Sequence, residues 1–277
     1  MVDPVAGFDS HPAFRFGPAR TGIIDTADVY YAGASQGGIF GLTLMSTAED
    51  IRRGVLFLAT ANLSTLSHRS FVNSAFLTLL RRSYPDRLDE QILIVIMQQS
   101  WDRVKPNGYL THLVPGDLSS PPAPRDVIIV MATYDSDIPN IATEITVRSL
   151  GIPQLAPVRR SFFAIPEATA PIDGSALVEI DPQKGFARCN DPTRPDPGTP
   201  CTTDGDCPGP GDTPSRTRCD SGIPPLTNTL PPFENCAHFC PPDPPPTATA
   251  ASAQQIDAFL RPNGQILQFC SGVYDPE

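Results

Sequence analysis

The sequence has few lysines, a strongly negative net charge and no long apolar run, and the last two features narrow the possible functions. Lys105 and Lys184 are the only lysines in 277 residues, and the net charge is −10, which disfavours a nucleic-acid-binding role. No apolar run approaches the roughly 18 residues that a membrane-spanning helix needs. The N-terminus over residues 1–4 lacks the basic and apolar pattern of a signal peptide.

A motif typical of a nucleophilic serine lies near the N-terminus of the chain. A short strand over 29–32 runs into the turn Gly33-Ala34-Ser35-Gln36-Gly37, and a glycine-rich helix follows over 36–46. In the pattern strand, G-x-S-x-G, helix, the serine has strained backbone angles, so the residues two before and two after it must be nearly free of side chain. The motif predicts Ser35 as a nucleophile, with an ordinary strand–turn–helix as the alternative.

The predicted helix after Ser35 would contribute to both chemistry and packing. Its N-terminus directs N–H groups and a positive dipole end at the serine hydroxyl. The N–H of Gln36 is therefore the candidate oxyanion donor. Close contact between this helix and the sheet is predicted through three glycines, Gly37, Gly38 and Gly41.

Buried strands alternate with helices over residues 28–180, which predicts an α/β fold with a mostly parallel sheet. Continuous apolar runs over 55–59 and 125–132 are typical of parallel strands covered on both faces. A helix is predicted over 141–150 and a last strand over 174–180. The residues after 59 are expected to form a loop at the carboxyl edge of the sheet, where open α/β sheets bind their ligands.

The segment 70–124 separates two of the predicted strands. Apolar residues at helical spacing predict two helices within 70–102, separated at 83–86, and a proline-rich stretch over 121–124 ends the segment. This pattern fits a helical cap over one edge of the sheet and a plain helical crossover equally well.

The loop after strand 125–132 carries two acidic residues, Asp135 and Asp137. A carboxylate at this position can orient an imidazole, fix its tautomer and stabilise its charged form. The chain order in such a hydrolytic triad is serine, acid, histidine, and both residues satisfy it. A solvated acidic turn is the alternative interpretation.

Composition changes sharply after the last predicted strand. Residues 182–247 hold about half of the 33 prolines and six of the seven cysteines. Such a stretch cannot build an apolar core, and disulfides formed in an oxidising compartment are the usual substitute. The candidates for disulfide bonds are Cys189, Cys201, Cys207, Cys219, Cys236, Cys240 and Cys270.

Short intervening loops favour pairing among the first four of these cysteines. Cys236 or Cys240 would then pair with Cys270 and connect the preceding loop to the last helix. Zinc bound through Cys236, His238 and Cys240 is the competing interpretation, although the usual C-x2-C spacing is absent.

One histidine lies where a triad base is expected. In a hydrolase sheet the base follows the last strand and precedes the last helix, which is predicted here over 251–260. His238 meets this condition, whereas the other three histidines precede the final strand; they are His11, His68 and His112. His238 is therefore the candidate general base.

These stretches together resemble the α/β-hydrolase superfamily, serine esterase/lipase type, and especially a group of large, uncharacterised hydrolase-like proteins of deltaproteobacteria. The matching stretches are 30–41 (YYAGASQGGIFG), 61–71 (ANLSTLSHRSF), 98–103 (QQSWDR), 135–143 (DSDIPNIAT) and 254–270 (QQIDAFLRPNGQILQFC). In that pattern the acid is the Asp four residues before Pro, which favours Asp135 over Asp137.

The resemblance implies a serine hydrolase that acts on small carboxylic esters through Ser35, His238 and Asp135, without a cofactor or a nucleic-acid partner. Only 28 residues precede the strand before Ser35, too few for the half-sheet that supplies the second oxyanion donor in this superfamily. The chain therefore resembles the C-terminal part of a hydrolase, with an exposed sheet edge at 29–32. A catalytically inactive hydrolase-like domain with a binding or structural role is the alternative function.

The predicted organisation has three parts. A hydrolase core covers 1–181, with the helical cap at about 70–124. The Cys/Pro-rich insertion over 182–247 carries the His238 loop, and residues 248–277 return a C-terminal helix to the core. The cysteines predict an extracytoplasmic or secreted protein.

Overall fold

The computed structural model describes residues 11–22, 28–133, 135–180, 188–189, 219–220, 238 and 246–270. Its strands, in chain order, are β1 (Arg15–Phe16), β2 (Thr21–Gly22), β3 (Val29–Ala34), β4 (Ile51–Phe57), β5 (Asp126–Ala132), β6 (Gln154–Ala156), β7 (Glu167–Thr169), β8 (Ala176–Ile180), β9 (Arg188–Cys189) and β10 (Cys219–Asp220). Its α-helices are α1 (Gln36–Thr47), α2 (Leu63–Ser67), α3 (Ser74–Ser83), α4 (Arg87–Trp101), α5 (Leu110–Leu113), α6 (Asn140–Leu150) and α7 (Pro246–Phe259).

Six of the strands form one sheet in the order β3-β4-β5-β8-β6-β7, and every pairing within it is parallel. The predicted α/β fold with a mostly parallel sheet is confirmed. β3, the strand that leads to Ser35, is the end strand of this sheet within the described part of the chain. The parallel order brings the carboxyl ends of β3, β4, β5 and β8 to one edge.

The sheet is covered on both faces, as its uninterrupted apolar strands require. In β5, Val127, Ile129 and Met131 pack into one core, whereas Ile128 and Val130 pack into the other. Helices α1, α5 and α6 contribute to the first core, and α7 contributes to the second. Helices on both faces of a parallel sheet make a three-layer α/β/α arrangement.

Strands β6 and β7 of the main sheet and the short helices α2 and α5 were not predicted from the sequence. Strands β6 and β7 are three residues each. They lie in a stretch interrupted by prolines, so neither shows a readable alternation of apolar residues. Helix α2 stands where a loop was expected, and Asn62 caps it by accepting the N–H of Thr65 at 2.8 Å.

The two helices predicted within 70–102 are confirmed as α3 and α4. Helix α4 begins at Arg87, directly after the predicted separation at 83–86, because the Asp86 side chain caps it by accepting the N–H of Leu88 at 2.7 Å. α3 and α4 share a small core of their own, formed by Leu77, Leu80 and Ile94 with Phe76, Leu93 and Trp101 packed against it. The following α5 packs instead into the core of the main sheet. Within the segment between β4 and β5, helices α3 and α4 thus form their own core, whereas α5 packs on the main sheet.

Two arginines from the amino-terminal ends of strands hold the carboxyl ends of the helices that flank the sheet. Arg125, which is fully buried, donates from Nε to Met45 O at 3.1 Å and from Nη2 to Ala48 O at the end of α1. Arg53 donates to Phe259 O, at the last residue of α7, and to Gly264 O in the loop that follows. Neither helix has a basic residue in its own last turn, so distant arginines supply the positive charge that a helix C-terminus favours.

The cysteine-rich segment lies mostly outside the described residues. Strands β9 and β10 pair antiparallel, with Cys189 directly opposite Cys219. Cys270 is half-buried against the second core. The remaining predicted disulfide candidates, Cys201, Cys207, Cys236 and Cys240, fall outside the described ranges.

Candidate active site

Ser35 stands on the turn between β3 and α1 with φ 53° and ψ −120°, in the positive-φ region that a side chain disfavours. Its N–H donates to Phe57 O at 2.9 Å, and its carbonyl accepts the N–H of Ile39 at 2.9 Å as α1 begins. These two bonds hold the strained turn. The N–H groups of the first turn of α1, Gln36 included, have no acceptor within the helix and are oriented towards its N-terminus.

The glycines around Ser35 allow close approach, with one difference from the prediction. A Cβ on Gly33 would lie 2.7 Å from the backbone of Gly37, and one on Gly38 would lie 2.6 Å from Phe57 O. A Cβ on Gly41 would lie 2.3 Å from the Tyr31 ring. Gly37 itself has room, since its Cβ would meet only the Tyr31 hydroxyl at 3.9 Å. The packing of α1 on the sheet therefore requires Gly38 and Gly41, whereas the predicted packing through Gly37 is wrong.

The loop after β5 fixes the carboxylate of Asp135. Its Oδ1 accepts the backbone N–H groups of Asp137 at 2.8 Å and Ile138 at 2.9 Å. Asn140 donates from Nδ2 to Ala132 O at 2.6 Å, which closes the loop between β5 and α6. Asp135 is 1% exposed, and these bonds leave Oδ2 available for another donor.

His238 lies between Asp135 and Ser35. Its Nδ1 is 2.7 Å from Asp135 Oδ2, and its Nε2 is 2.8 Å from Ser35 Oγ. The His238 side chain is 1% exposed. Because an ionised carboxylate can only accept a hydrogen bond, this arrangement assigns the proton to Nδ1 and leaves Nε2 to accept the Ser35 hydroxyl proton.

The other candidate acid and the other three histidines make different contacts. Asp137 contributes its backbone N–H to Asp135, and the 2.7 Å contact with His238 comes from Asp135. His68 is 3.2 Å from Ser64 O, and His112 pairs with Asp117 at 2.9 Å. His11 accepts the N–H of Ala13. Only His238, among these histidines, has a ring nitrogen in hydrogen-bond contact with Ser35.

Two neighbouring loops support this site in ways that the sequence did not reveal. Leu58, at φ 52°, donates to Val130 O at 2.7 Å, which continues the sheet bonding beyond β4 to the turn at Ser35. Phe71 donates to Ser136 O at 2.9 Å and ties the α2–α3 connection to the loop of Asp135. An apolar cluster at this edge of the sheet consists of Ile39, Leu66 and Ile138 with Leu58 and Leu63 packed against it.

The described residues offer no metal site around His238. Both of its ring nitrogens contact protein groups, and no cluster of three or more His, Cys, Asp or Glu side chains suits a metal ion within the described ranges. Cys236 and Cys240, the other zinc ligands considered above, lie outside those ranges.

The longest described helix, α4, has 15 residues, and none of the described helices could span a bilayer.

Fold and site together define an α/β protein with a parallel sheet. At the carboxyl edge of this sheet, a histidine is hydrogen-bonded to both a serine and an aspartate. No protein-family model matches the sequence, and no curated protein is significantly similar to it. Among solved structures, the enol-lactonase from Burkholderia xenovorans LB400 matches with a TM-score of 0.25 and 15% identity. The match covers 56% of this chain and 58% of that one. A likeness this low carries no argument about function.

Proposed function

We propose that this protein is a serine hydrolase that acts on carboxylic esters. Ser35 is the nucleophile, His238 transfers the proton, and Asp135 orients His238. The observation that carries the proposal is the pair of contacts that joins the three side chains, 2.8 Å from Ser35 Oγ to His238 Nε2 and 2.7 Å from His238 Nδ1 to Asp135 Oδ2. Both distances lie within the range expected for a nucleophile, its base and the group that orients the base.

In the acylation step, Ser35 Oγ attacks the ester carbonyl carbon while His238 Nε2 accepts the hydroxyl proton. The Asp135 carboxylate accepts the Nδ1–H and stabilises the imidazolium that forms. The carbonyl oxygen becomes an oxyanion, for which the N–H of Gln36 at the start of α1 is the proposed donor. Collapse of this intermediate breaks the bond to the alcohol oxygen, which takes the proton from His238, and the acyl group stays on Ser35.

Deacylation repeats these steps with water. His238 Nε2 accepts a proton as the water oxygen attacks the acyl carbon, and it returns the proton to Ser35 Oγ as the carboxylic acid leaves. The apolar side chains of Ile39, Leu58 and Ile138 adjoin the turn at Ser35 and the loop of Asp135. We propose that they line the space for the acyl group.

A hydrolase-like domain without activity, serving a binding or structural role, is the second candidate. It is favoured by the position of β3 at the end of the described sheet, because in this class of enzyme the second oxyanion donor comes from a loop beyond that strand. Loss of one oxyanion donor lowers the rate by about 10²–10³-fold. The proposed domains, the helical cap at about 70–124 and the insertion at 182–247, apply to either candidate.

Labelling with a fluorophosphonate probe tests the assignment of Ser35. The wild type should be labelled and should hydrolyse a p-nitrophenyl ester, and Ser35→Ala should lose both. Ser149→Ala, which changes an exposed serine on α6, is the matched control and should keep both. A folded wild type that takes up no probe would favour the inactive domain, and labelling that persists in Ser35→Ala would reject Ser35 as the nucleophile.

We also propose that the protein is exported to an oxidising compartment, where the cysteine-rich segment forms disulfides. The support is the cysteine density in a stretch too rich in proline to fold by burial. The backbone pairing of Cys189 with Cys219 adds to it.

A further inference from the structure

Helix α4 turns its apolar face outward. Its buried positions are Glu90, Ile94 and Gln98, of which two are polar. Its outer face carries large apolar side chains, Leu88 (67% exposed), Ile92 (49%), Val95 (56%) and Ile96 (54%). The spacing of these four residues places them on one side of the helix. An ordinary surface helix has the opposite arrangement.

Buried polar contacts fix α4 in this orientation. The Glu90 carboxylate, fully buried, accepts from Arg81 Nε at 3.1 Å and from Arg87 Nη1 at 2.8 Å. Burial opposes the charged form of Glu90, but the hydrogen bonds from Arg81 and Arg87 outweigh it and hold the pKa below its usual value. Gln98 accepts the N–H of Ser64 at 2.8 Å. Rotation of the helix would bury the apolar face only by breaking these bonds, so the outward face is built into the fold.

The exposed apolar residues are concentrated in this region. Of the fourteen large apolar side chains exposed in the described part of the chain, eight lie between residues 72 and 104. Burial of one such side chain is worth about 1.5–3 kcal/mol. A concentrated apolar surface of this kind marks an interaction site.

We propose that the outer face of α4 binds the same face of a second copy of this chain in an antiparallel, two-fold contact. The segment 91–101 contains no charged residue. The exposed Asp89 precedes it and the exposed Arg103 follows it, equally far from Ile96 in the sequence. A two-fold axis at Ile96 therefore brings the end of α4 that carries Asp89 to the end of the partner's α4 that Arg103 follows. The same axis brings the exposed apolar residues at the two ends of the face towards each other, Leu88 (67% exposed) on α4 and Val104 (62%) in the turn after it.

The charges favour a second copy over the other possible occupants. In a parallel contact, Asp89 would face Asp89 and Arg103 would face Arg103, which is repulsive. An anionic membrane would be repelled by the net charge of −10. The antiparallel contact instead gives an apolar centre with a charged rim of matched sign, as in other protein interfaces. A single helix face is small against the roughly 800 Å² per partner of a stable interface, so the dimer should dissociate on dilution.

Sedimentation velocity of the full chain over about 1–100 µM tests the contact, because a weak dimer dissociates on dilution within such a series. The wild type should pass from monomer to dimer within this series. Ile96→Glu should weaken the dimer by 10-fold or more, because it places two carboxylates at the axis. Leu118→Glu, at an exposed apolar residue outside α4, is the matched control and should sediment as the wild type does. Far-UV circular dichroism verifies that each variant is folded.

A charge exchange tests the orientation. Asp89→Arg and Arg103→Asp should each weaken the dimer, and the variant with both changes should recover it. A wild type that stays monomeric throughout, or equal behaviour of Ile96→Glu and Leu118→Glu, would overturn the proposal. So would a double variant as weak as the single ones, or a monomer that floats with anionic vesicles. Because the measurement is of association alone, it is independent of the proposed hydrolase activity, which Ser35→Ala tests.

Discussion

Ser35 shows how one residue under backbone strain determines which side chains its neighbours can have. At φ 53° its conformation costs on the order of 1–3 kcal/mol, which the bond to Phe57 O and the start of α1 offset. The turn brings Gly33 against the backbone of Gly37, so a side chain on Gly33 has no room. The motif predicts this crowding correctly at Gly33 but not at Gly37, whose own Cβ position is open.

The difference between Gly37 and Gly38 gives a prediction about stability. Gly38→Ala should lower the free energy of unfolding by about 1–3 kcal/mol, since the new Cβ would lie 2.6 Å from Phe57 O, a backbone atom that cannot move freely. Gly37→Ala is the matched control. It should be neutral or stabilising by up to about 1 kcal/mol, because alanine favours the helix and its Cβ has space. Urea unfolding of both variants measures the difference, and an equal loss in both would contradict it.

The two acidic residues of the β5 loop give a prediction about activity. Asp135→Asn should lower ester hydrolysis by about 10³–10⁴-fold, because an amide facing Nδ1 of His238 no longer fixes the required tautomer. Asp137→Asn should lower it far less, since Asp137 reaches Asp135 through its backbone N–H. The ratio of kcat/KM between the variants is the measurement. A larger loss in Asp137→Asn would transfer the orienting role to that residue.

Helices α1 and α7 lie on opposite faces of the sheet, and each follows a residue of the candidate site in the chain. Ser35 comes directly before α1, and His238 comes before α7 in the chain. Arg125 and Arg53 bind the far ends of these two helices, where the last carbonyls lack partners within the helix. These contacts at the opposite edge of the sheet hold the ends of the two helices in place.

Replacement of Arg125 should show how much its contacts with α1 contribute to the stability of the protein. Arg125→Met should lower the free energy of unfolding by about 2 kcal/mol, because Met45 O and Ala48 O lose a charged donor in a buried position. Burial lowers the pKa of Arg125 and moderates the loss, since the variant also removes a buried charge. Arg82→Met, at an exposed arginine on α3, is the control and should change stability by less than about 0.5 kcal/mol. Thermal or urea unfolding compares them, and equal effects would reject a special role for Arg125.

At the scale of the whole molecule, the proline-rich stretch between β8 and α7 contains one pair of short strands, β9 and β10. The antiparallel register of β9 and β10 sets Cys189 opposite Cys219. Residues directly opposed in such a ladder have Cα atoms about 4.5–5.5 Å apart, within the range that a disulfide spans. A bond here would close a loop of roughly 30 residues and restrict the unfolded chain by about 3–4 kcal/mol.

We therefore predict a disulfide between Cys189 and Cys219. Mass spectrometry of the alkylated, non-reduced protein should recover one peptide pair that contains both residues, and reduction should separate it. The double variant Cys189→Ser/Cys219→Ser should unfold at lower urea concentration than the wild type does. Seven alkylated thiols in protein isolated from its native compartment would contradict both the bond and the proposed export.

The sequence by itself determined the elements whose local physics is strong. The turn at Ser35, the two-sided strand β5 and the helix pair α3–α4 are readable because backbone strain, continuous burial and helical spacing each leave a pattern in adjacent residues. The chain order serine, acid, histidine also identified Ser35, Asp135 and His238 as the three candidate residues. Strands β6 and β7 were missed because three residues are too few to show a period.

Only the tertiary structure decided the contacts between residues far apart in the chain. His238 meets Asp135 across 103 positions and Ser35 across 203, and nothing local to any of them fixes those distances. The same holds for Arg125 at the end of α1 and for the outward face of α4, where the hydrogen bonds made by the buried Glu90 and Gln98 override the apolar pattern. Apolar spacing shows that a helix has two faces, but which face is buried depends on the partners that the rest of the chain brings to it.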